Sequence, residues 1–353
     1  MSTATEQPAV TGGTASRPEL LVEPEPGSRQ LAYGRAFNEG LAQVMRVDPD
    51  VFVAGEDVAG YGGVFRMFVK LLEEFGPQRV VDTPISETAI VGLGVGAAAC
   101  GLRPVVDLMF SDFMAVCFDQ IVNQAAKLKY MFGGSVTVPL TITCVSGAGV
   151  SGSAQHSQSW EAMLAHVPGL KVVMPSTAYD AKGLIVAAVR DDNPVVVMLN
   201  KSLLGAKSPV PERLYRVPIG QAATVRPGRD VTVVTLGRML GEVQAAADSL
   251  AATGISAEVI DLRSVQPLDT ETIAESVRRT NRVVVVHEAV TFGGIGAEIA
   301  AQIQDAAFDY LDAPVLRLGA PFAPVPFSPV LEKAYVPDRG RIVAGISRML
   351  ARS

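Results

Sequence analysis

The 353-residue sequence lacks most of the features that mark a specialised environment or partner. Its three cysteines, Cys100, Cys117 and Cys144, have no Cys-x-x-Cys spacing, which excludes a disulfide framework and a zinc ribbon and favours a reducing compartment, the cytoplasm. The 30 Lys and Arg are outnumbered by 36 Asp and Glu, so no basic surface for nucleic acid is expected. No apolar run approaches the ~20 residues that a membrane helix needs. We therefore expect neither nucleic-acid nor membrane partners.

Residues 1–28 are rich in proline, glutamate, glycine, serine and threonine, and they contain neither a basic start nor a hydrophobic segment. This composition is typical of a disordered arm and not of a signal peptide. At ~100 to 200 residues per domain, the rest of the chain is long enough for about two domains with their own cores.

After residue 28, runs of β-branched residues alternate with stretches of helical spacing, a pattern typical of buried parallel strands joined by helices. In the first half, strands are predicted at 51–54, 104–109, 140–144, 171–174 and 195–199, with helices at 86–100 and 119–131. In the second half, strands are predicted at 231–236, 257–261, 282–287 and 314–318, with helices at 242–253, 269–279, 294–311 and 339–351. The sequence predicts an α/β fold with two parallel-sheet domains, 29–203 and 221–353, joined by a proline-containing linker at 204–220.

Two glycine-rich stretches resemble nucleotide-binding motifs. Gly92-Leu-Gly94-Val-Gly96-Ala97 satisfies the spacing of a dinucleotide fingerprint, but it lies inside a predicted helix instead of following a strand. We expect these glycines to form a smooth packing face, while an NAD-dependent dehydrogenase would need them in a strand-to-helix loop. Gly293-Gly294-Ile-Gly296 follows a strand and opens a helix, yet no Lys or Arg nearby supports anion binding there.

Two polar residues are candidates for chemistry. Glu87 follows the stretch 79–86 and lies in the first turn of a predicted helix, at a strand end where open α/β sheets bind ligands. His156 lies in a polar cluster after a glycine-bearing loop, and histidine transfers protons near neutral pH. The position of each residue can also be explained by a purely structural role. Glu87 can interact favourably with the helix dipole, and His156 can be a structural histidine whose ring nitrogens are hydrogen-bonded.

Eight short motifs follow one another along the chain: Gly55-Glu-Asp-Val58, Asp82-Thr-Pro-Ile-Ser-Glu87, Gly101-Leu-Arg-Pro-Val105, Asp119-Gln-Ile121, Gln155-His-Ser-Gln158, Pro168-Gly-Leu-Lys-Val-Val173, Asp180-Ala-Lys-Gly-Leu184 and Asp261-Leu-Arg263. Their order resembles the E1 β subunit of thiamine-diphosphate-dependent 2-oxo acid dehydrogenases, from residue 31 to the C-terminus. The resemblance implies a transketolase-like pyrimidine-binding domain at 29–203 followed by a transketolase C-terminal domain at 221–353.

The resemblance also implies roles for four residues at a thiamine-diphosphate site. Glu87 matches the glutamate that bonds to N1′ of the cofactor's pyrimidine and helps the cofactor to lose the proton at its reactive C2 carbon. Phe113 matches an aromatic residue that packs on the pyrimidine, and Ile85 matches a further cofactor contact. His156 matches the histidine that steers the bound intermediate and assists acyl transfer to the lipoyl group. Without the family, Phe113 is equally well explained as a core aromatic residue.

A structural monovalent-cation site, for potassium, is implied by the same resemblance. It would be formed largely by backbone carbonyls at Leu140, Ala188, Val189, Asp191 and Asn193. Without the family, the stretch 191–194 is simply a turn that ends a helix.

The sequence contains no Gly-Asp-Gly, the motif with which enzymes of this kind hold the diphosphate through magnesium. The resemblance therefore implies that a separate α subunit supplies Mg²⁺ and the diphosphate half of the cofactor site. An α2β2 heterotetramer is the simplest such assembly, and the C-terminal domain is expected to help dock it onto the lipoyl-bearing E2 core. The isolated chain is expected to be inactive.

The substrate is less well defined. Segments 109–120, 130–134, 178–183 and 324–332 are most similar to β subunits of acetoin dehydrogenase and of bacterial pyruvate dehydrogenase. Leu199 replaces an acidic residue of many relatives, and Val116 replaces a polar residue of some pyruvate enzymes. The resemblance favours pyruvate decarboxylation with reductive acylation of lipoyl-E2, and it leaves acetoin and branched-chain 2-oxo acids open. A noncatalytic docking paralogue is another alternative, against which the presence of both Glu87 and His156 argues.

Overall fold

The computed structural model describes residues 29–351, so the arm predicted at 1–28 lies outside the described residues. The N-terminal domain comprises, in chain order, β1 (Gln30–Ala32), α1 (Tyr33–Val47), β2 (Val51–Gly55), α2 (Leu71–Phe75), β3 (Val80–Asp82), α3 (Glu87–Ala99), β4 (Arg103–Phe110), α4 (Leu128–Met131), β5 (Thr141–Ser146), α5 (Glu161–Ala165), β6 (Lys171–Val173), α6 (Ala178–Val189), β7 (Val195–Asn200) and β8 (Lys207–Pro209). The C-terminal domain comprises β9 (Ala223–Arg226), β10 (Val231–Thr235), α7 (Met239–Ala251), β11 (Ala257–Asp261), β12 (Ser264–Gln266), α8 (Thr270–Thr280), β13 (Val283–Val290), α9 (Ile295–Ala307), β14 (Leu316–Ala320), α10 (Pro329–Tyr335) and α11 (Arg339–Leu350).

A seven-stranded sheet of order β12-β6-β7-β5-β4-β2-β3 forms the centre of the N-terminal domain. Strands β2 to β7 pair in parallel, and β12 joins as an antiparallel edge strand. Every residue of β5 and β7 is buried, as expected for central strands covered on both faces. The five strands predicted in this half are confirmed, and their ends differ from the prediction by at most two residues.

A five-stranded sheet of order β14-β13-β10-β11-β9 forms the centre of the C-terminal domain. Four of its strands are parallel, and only β9 runs antiparallel to its neighbour β11. One face is covered by apolar side chains of α7 and α11, and the other by those of α8 and α9. The predicted fold class, two parallel-sheet α/β domains, is confirmed. Within residues 29–351 no helix is long and apolar enough to cross a membrane.

Strand β12 joins the two domains, because it follows β11 of the C-terminal sheet but pairs with β6 of the N-terminal sheet. Just before it, Arg263 adopts a φ of +58°, and its Nε lies 2.8 Å from Oδ1 of Asp180 in α6. Ser176 Oγ donates to Asp261 Oδ1 at 2.7 Å, while burial and the charge of Asp180 raise the pKa of Asp261. The Asp261-Leu-Arg263 motif therefore holds the domains together.

The prediction of one continuous helix at 119–131 is wrong. The chain forms a π-helical turn at Gln120–Ala125, and the short helix α4 begins separately at Leu128. The Ala126 N–H donates to the Ile121 carbonyl, five residues back, at 3.1 Å, so the α-helical hydrogen-bond register is lost. Apolar spacing reveals that Ile121 and Ala125 are buried but does not distinguish the two kinds of helix.

The sequence patterns also fail to predict α1 and α6, which pack against each other. Every residue of α6 is buried, so this helix has no polar face from which helical periodicity could be read. Gly40 permits the close approach of α1, since a Cβ at this position would lie 2.8 Å from the Lys182 carbonyl oxygen.

The segment 204–220 packs on the N-terminal domain. Strand β8 pairs antiparallel with β1, and the side chains of Tyr215 and Val217 are buried. Lys182, which is fully buried in α6, donates to the carbonyls of Pro211 and Glu212 at 2.7 and 3.0 Å. A buried ammonium group requires such acceptors, so these bonds fix the proline-containing segment to the domain.

The glycines at 92, 94 and 96 lie within α3 and therefore form no strand-to-helix loop for a dinucleotide. A Cβ on Gly94 would lie 2.8 Å from Leu140 Cδ1 and 3.0 Å from Val106 Cγ1. At Gly96, which is exposed, a Cβ would meet no other group within 4 Å. Gly94 thus provides the predicted packing face against the sheet, whereas Gly96 does not contribute to it.

The buried His287 explains the second glycine-rich stretch. A Cβ on Gly294 would lie 2.8 Å from His287 Cε1, and one on Gly296 would lie 2.6 Å from His287 Nε2. The imidazole ring therefore occupies the space beside these glycines. Burial lowers the pKa of His287 to about 4, so the ring is neutral near physiological pH.

Gly94→Ala and Gly96→Ala should change stability in opposite directions, although both replace a glycine of the same helix. Overpacking against Leu140 and Val106 is expected to cost ~1–3 kcal/mol in Gly94→Ala. Gly96→Ala is expected to gain ~1 kcal/mol, because alanine has the higher helix propensity. Urea unfolding of the two variants measures the difference, and equal midpoints would contradict the packing described for α3.

Candidate active site

Glu87 lies at the carboxyl edge of the seven-stranded sheet, where it begins α3 shortly after the end of β3. Glu56 directly follows β2, the neighbouring strand, and its side chain is buried. Burial and the negative charge of Glu87 raise the pKa of Glu56, while a backbone hydrogen bond from Ser86 opposes the shift. The fold thus brings two carboxyl groups together at adjacent strand ends.

A third acid, Asp107, lies on β4 beside this pair. Burial, with a smaller contribution from the charge of Glu56, raises the pKa of Asp107 to about 6, against hydrogen bonds from Thr143 and the backbone. Thr143 Oγ1 donates to Asp107 Oδ1 at 2.6 Å. The edge of the sheet therefore holds two carboxyl groups, those of Glu56 and Asp107, whose pKa values are raised above the ordinary range.

Phe113 and His156 lie in contact with each other, in turns that follow the adjacent strands β4 and β5. Their ring centroids are 5.5 Å apart, and Phe110 approaches the His156 ring to 4.7 Å, both in edge-to-face geometry. Phe65 packs on Phe110 at 5.2 Å. We call these four residues, Phe65, Phe110, Phe113 and His156, the aromatic cluster. It gives the edge of the sheet a ring surface with one group that can transfer protons.

A hydrogen bond ties the helix that carries Glu87 to the turn that carries Phe113. Thr88 Oγ1 donates to the Val116 carbonyl at 2.9 Å. Ile85, just before α3, leaves 82% of its surface exposed, and Val116 leaves 60% exposed. The structure therefore brings Ile85, Glu87, Phe113 and His156 to one edge of one sheet, and it adds an exposed apolar surface beside them.

Lys201, which follows β7, is not among the residues predicted from the sequence. Its Nζ donates to the His156 carbonyl and, at 2.9 Å, to Ser157 Oγ, and it lies 5.6 Å from the centre of the Phe110 ring. Burial lowers the pKa of Lys201, while acidic groups nearby oppose the shift. Glu56 was missed as well, although it lies in one of the eight motifs. The common signal is a polar residue directly after a buried parallel strand.

Gln158 and Asp112 connect the turns after β4 and β5. The Gln158 backbone N–H and side-chain Nε2 donate to Asp112 Oδ1 at 3.3 and 2.9 Å, and Ser111 Oγ donates to the Gln158 carbonyl at 2.9 Å. Of the Gln155-His-Ser-Gln158 motif, Gln158 thus maintains the position of the turn that carries His156.

The residues of the predicted potassium site lie at the opposite, amino-terminal edge of the sheet, before β5 and β7; they are Leu140, Ala188, Val189, Asp191 and Asn193. The carbonyls of Val189 and Asp191 each accept a hydrogen bond from Arg103 Nη1 at 3.1 Å. The Leu140 carbonyl accepts from the Val195 N–H at 2.9 Å. These contacts do not test the potassium site, which stays a prediction.

Comparison with known proteins agrees with this architecture. The family model "Transketolase, pyrimidine binding domain" matches residues 29–207, and "Transketolase, C-terminal domain" matches residues 220–342. A solved structure titled "Split gene transketolase, inactive beta4 tetramer" has a TM-score of 0.75 at 24% identity, covering 91% of this chain and 99% of that one. Fold and site together define a transketolase-like protein.

Relatives that are similar in sequence show which family of transketolase-like proteins the chain belongs to. The chain is 46% identical over 333 residues to the β subunit of acetoin:2,6-dichlorophenolindophenol oxidoreductase from Cupriavidus necator, covering 92% of this chain and 98% of that subunit. It is 45% identical over 320 residues to the β subunit of the pyruvate dehydrogenase E1 component from Rickettsia felis, covering 91% and 98%. The chain therefore belongs to the β-subunit family of the thiamine-dependent pyruvate and acetoin dehydrogenases.

Proposed function

We propose that this chain is the β subunit of an E1 component that decarboxylates pyruvate with thiamine diphosphate and transfers the acyl group to lipoyl-E2. The observation that carries the proposal is the grouping of Glu87, Glu56 and the aromatic cluster at the carboxyl edge of one parallel sheet. Ligands of open α/β sheets bind at this edge.

The residues at this edge fit the pyrimidine half of the cofactor. Its ring nitrogens need polar partners, and its faces need apolar contacts. The half-buried Glu87 supplies an acid, the exposed Ile85 and the half-buried Phe113 supply apolar surface, and Glu56 Oε1 is buried without a hydrogen-bond partner in the structure. A buried polar atom of this kind is costly unless a ligand or water satisfies it.

Each residue has a distinct part in the proposed mechanism. When bound, thiamine diphosphate would supply a nucleophilic carbon for reaction with the substrate carbonyl. Glu87 would hold a proton at N1′ of the pyrimidine. Glu56, whose pKa is raised by burial and by the charge of Glu87, lies beside it. Phe113 orients the pyrimidine ring. His156 would donate the proton that one lipoyl sulfur takes up when the S–S bond breaks and the other sulfur accepts the acyl group.

In this proposal the chain supplies the pyrimidine half of the cofactor site. An α subunit would contribute Mg²⁺ and the diphosphate-binding residues, in an α2β2 assembly that binds the E2 core. The exposed apolar side chains of Ile85 and Val116 beside Glu87 support a partner surface at this edge. The potassium site at residues 140 and 188–193, and a cytoplasmic location, belong to the same proposal.

Acetoin is the second candidate substrate. β subunits of the acetoin enzyme from Cupriavidus necator and Bacillus subtilis are 46% and 45% identical to this chain, as similar as the pyruvate dehydrogenase relative from Rickettsia felis. Identity therefore does not separate the two substrates, and the missing α chain would line the rest of the pocket.

Co-expression with its α subunit is expected to give thiamine-diphosphate-dependent reduction of a dye acceptor with pyruvate, whereas the isolated chain shows none. Acetoin and branched-chain 2-oxo acids are assayed in parallel. A faster reaction with acetoin would assign acetoin, instead of pyruvate, as the substrate. Turnover that is absent with all of these substrates, or that does not need thiamine diphosphate, would contradict the proposed function.

Glu87→Gln is expected to abolish cofactor activation, because an amide cannot hold a proton at N1′ as a carboxyl group can. The measurement is hydrogen–deuterium exchange at the C2 carbon of thiamine diphosphate in the assembled holoenzyme, where a loss of at least ~100-fold is expected for a proton-transfer residue. Glu275→Gln, at an exposed position of α8, is the matched control. Unchanged exchange in Glu87→Gln would remove this residue from the mechanism.

His156→Ala is expected to leave C2 exchange intact and to slow acyl transfer to a lipoyl domain by ~100-fold or more, since it removes a proton donor. Single-turnover acylation of the lipoyl domain measures the rate. His166→Ala, which changes an exposed histidine after α5, should retain the wild-type rate. A His156→Ala rate equal to that of His166→Ala would refute the assignment.

A further inference from the structure

The loop that leads to His156 has an unusual backbone. Between residues 147 and 153, which we call the glycine-serine loop, φ is positive at every second position: +83° at Gly147, +111° at Gly149, +56° at Ser151 and +66° at Ser153. Alternation of this kind can turn successive N–H groups into a concave anion-binding surface. The two serines each incur ~1–2 kcal/mol of backbone strain, so neighbouring groups must hold the loop in place.

Two carboxylates of the C-terminal domain accept hydrogen bonds from this loop. Glu332 of α10 accepts the Gly149 N–H at 2.7 Å with one oxygen and the Ser151 N–H at 2.9 Å with the other. Glu288 of β13 accepts the Ala148 N–H at 2.6 Å. Both carboxylates are largely buried. The side chain of Glu288 is 10% exposed, and Glu332 as a whole residue is 5% exposed. Charge-assisted bonds of this kind are roughly twice as strong as neutral ones.

Glu288 is also connected to Lys201, the residue that bonds to the His156 carbonyl. Its second oxygen accepts from Asn200 Nδ2 at 2.7 Å. Asn200 directly precedes Lys201, whose Nζ donates to the His156 carbonyl. The loop before the histidine is therefore bonded directly to carboxylates of the other domain. The lysine that bonds to the His156 carbonyl is connected to Glu288 through its neighbour Asn200.

We propose that Glu332 and Glu288 are positioning residues that set the location of the His156 ring by binding the glycine-serine loop across the domain seam. They touch no reacting atom themselves. The proposal rests on the proposed function only in assigning acyl transfer to His156. It gives the C-terminal domain a direct part in the geometry of the active site.

Glu332→Gln tests the role in holoenzyme assembled with the α subunit. The amide keeps the size of the side chain but replaces one acceptor oxygen with an NH₂ group that cannot accept from a backbone amide. Misplacing a catalytic group by about 1 Å costs ~100-fold, so lipoyl acylation should fall by ~10- to 100-fold. C2 hydrogen exchange should stay at the wild-type rate, because Glu87 is unchanged.

The matched control is Glu298→Gln, an exposed glutamate of α9 whose carboxylate accepts from Gln302 Nε2 at 2.8 Å. Acylation by Glu332→Gln at the rate of this control overturns the proposal. Equal losses of acylation and C2 exchange overturn it too, because they indicate general damage to the assembly.

A double-mutant cycle separates positioning from an independent effect. In the His156→Ala background, Glu332→Gln is expected to add little further loss of acylation, since the group that it positions is already absent. Losses that multiply would show that Glu332 acts without His156, which overturns the proposal.

Histidine-selective NMR of the full chain, without cofactor or α subunit, gives a readout besides activity. The chain has three histidines, and His156 lies 4.7 and 5.5 Å from two phenylalanine rings, whose ring currents make its shifts sensitive to position. In Glu332→Gln the His156 signals should shift while those of the other two remain. Unchanged His156 signals overturn the proposal.

Failure of the two proposals can be distinguished. If wild-type holoenzyme shows no thiamine-dependent turnover, the proposed function fails and the NMR result alone decides whether Glu332 positions the ring. If Glu332→Gln does not fold, Glu332→Asp is measured in its place, because it retains the charge and withdraws the carboxylate by one methylene. A shift of His156 alone supports the role, and no shift overturns it.

Discussion

Parallel pairing of β2, β3, β4, β5 and β7 is the constraint on which the site depends, because it brings the carboxyl ends of all five strands to one edge. Residues that are more than 100 positions apart in the sequence, such as Glu56 and Lys201, lie at the same edge of the sheet because of this geometry alone. The central strands β5 and β7 are buried on both faces and cannot easily shift in register. The polar residues that follow them therefore start from fixed positions.

Low-dielectric surroundings give those residues their chemical character. Glu56 and Asp107 both have raised pKa values, and burial is the largest cause in each case. The charge of Glu87 adds to the shift at Glu56, and the charge of Glu56 adds to the shift at Asp107. Such a group of acids would be costly in a merely structural setting, since each buried carboxyl group competes with its neighbours for protons. Perturbed acids at a sheet edge are typical of functional sites.

The seam between the domains has two different kinds of bond. On one side, Asp261 and Arg263 lock β12 onto the N-terminal sheet, an arrangement that supports the fold. On the other, Glu288 and Glu332 hold the strained backbone of the glycine-serine loop. Strained backbone persists only where surrounding contacts over-determine it, and here those contacts come from the second domain.

The sequence by itself determined the α/β class, the order of nine strands and the identity of the family, because continuous apolar runs and ordered motifs are local properties of the chain. It also singled out Glu87 and His156. Only the tertiary structure decided that Glu56 and Lys201 lie beside them, that α6 is a helix buried on every face, and that Glu332 reaches the loop before His156. Those facts depend on contacts between residues far apart in the chain, and no local pattern records which distant groups meet when the two sheets pack.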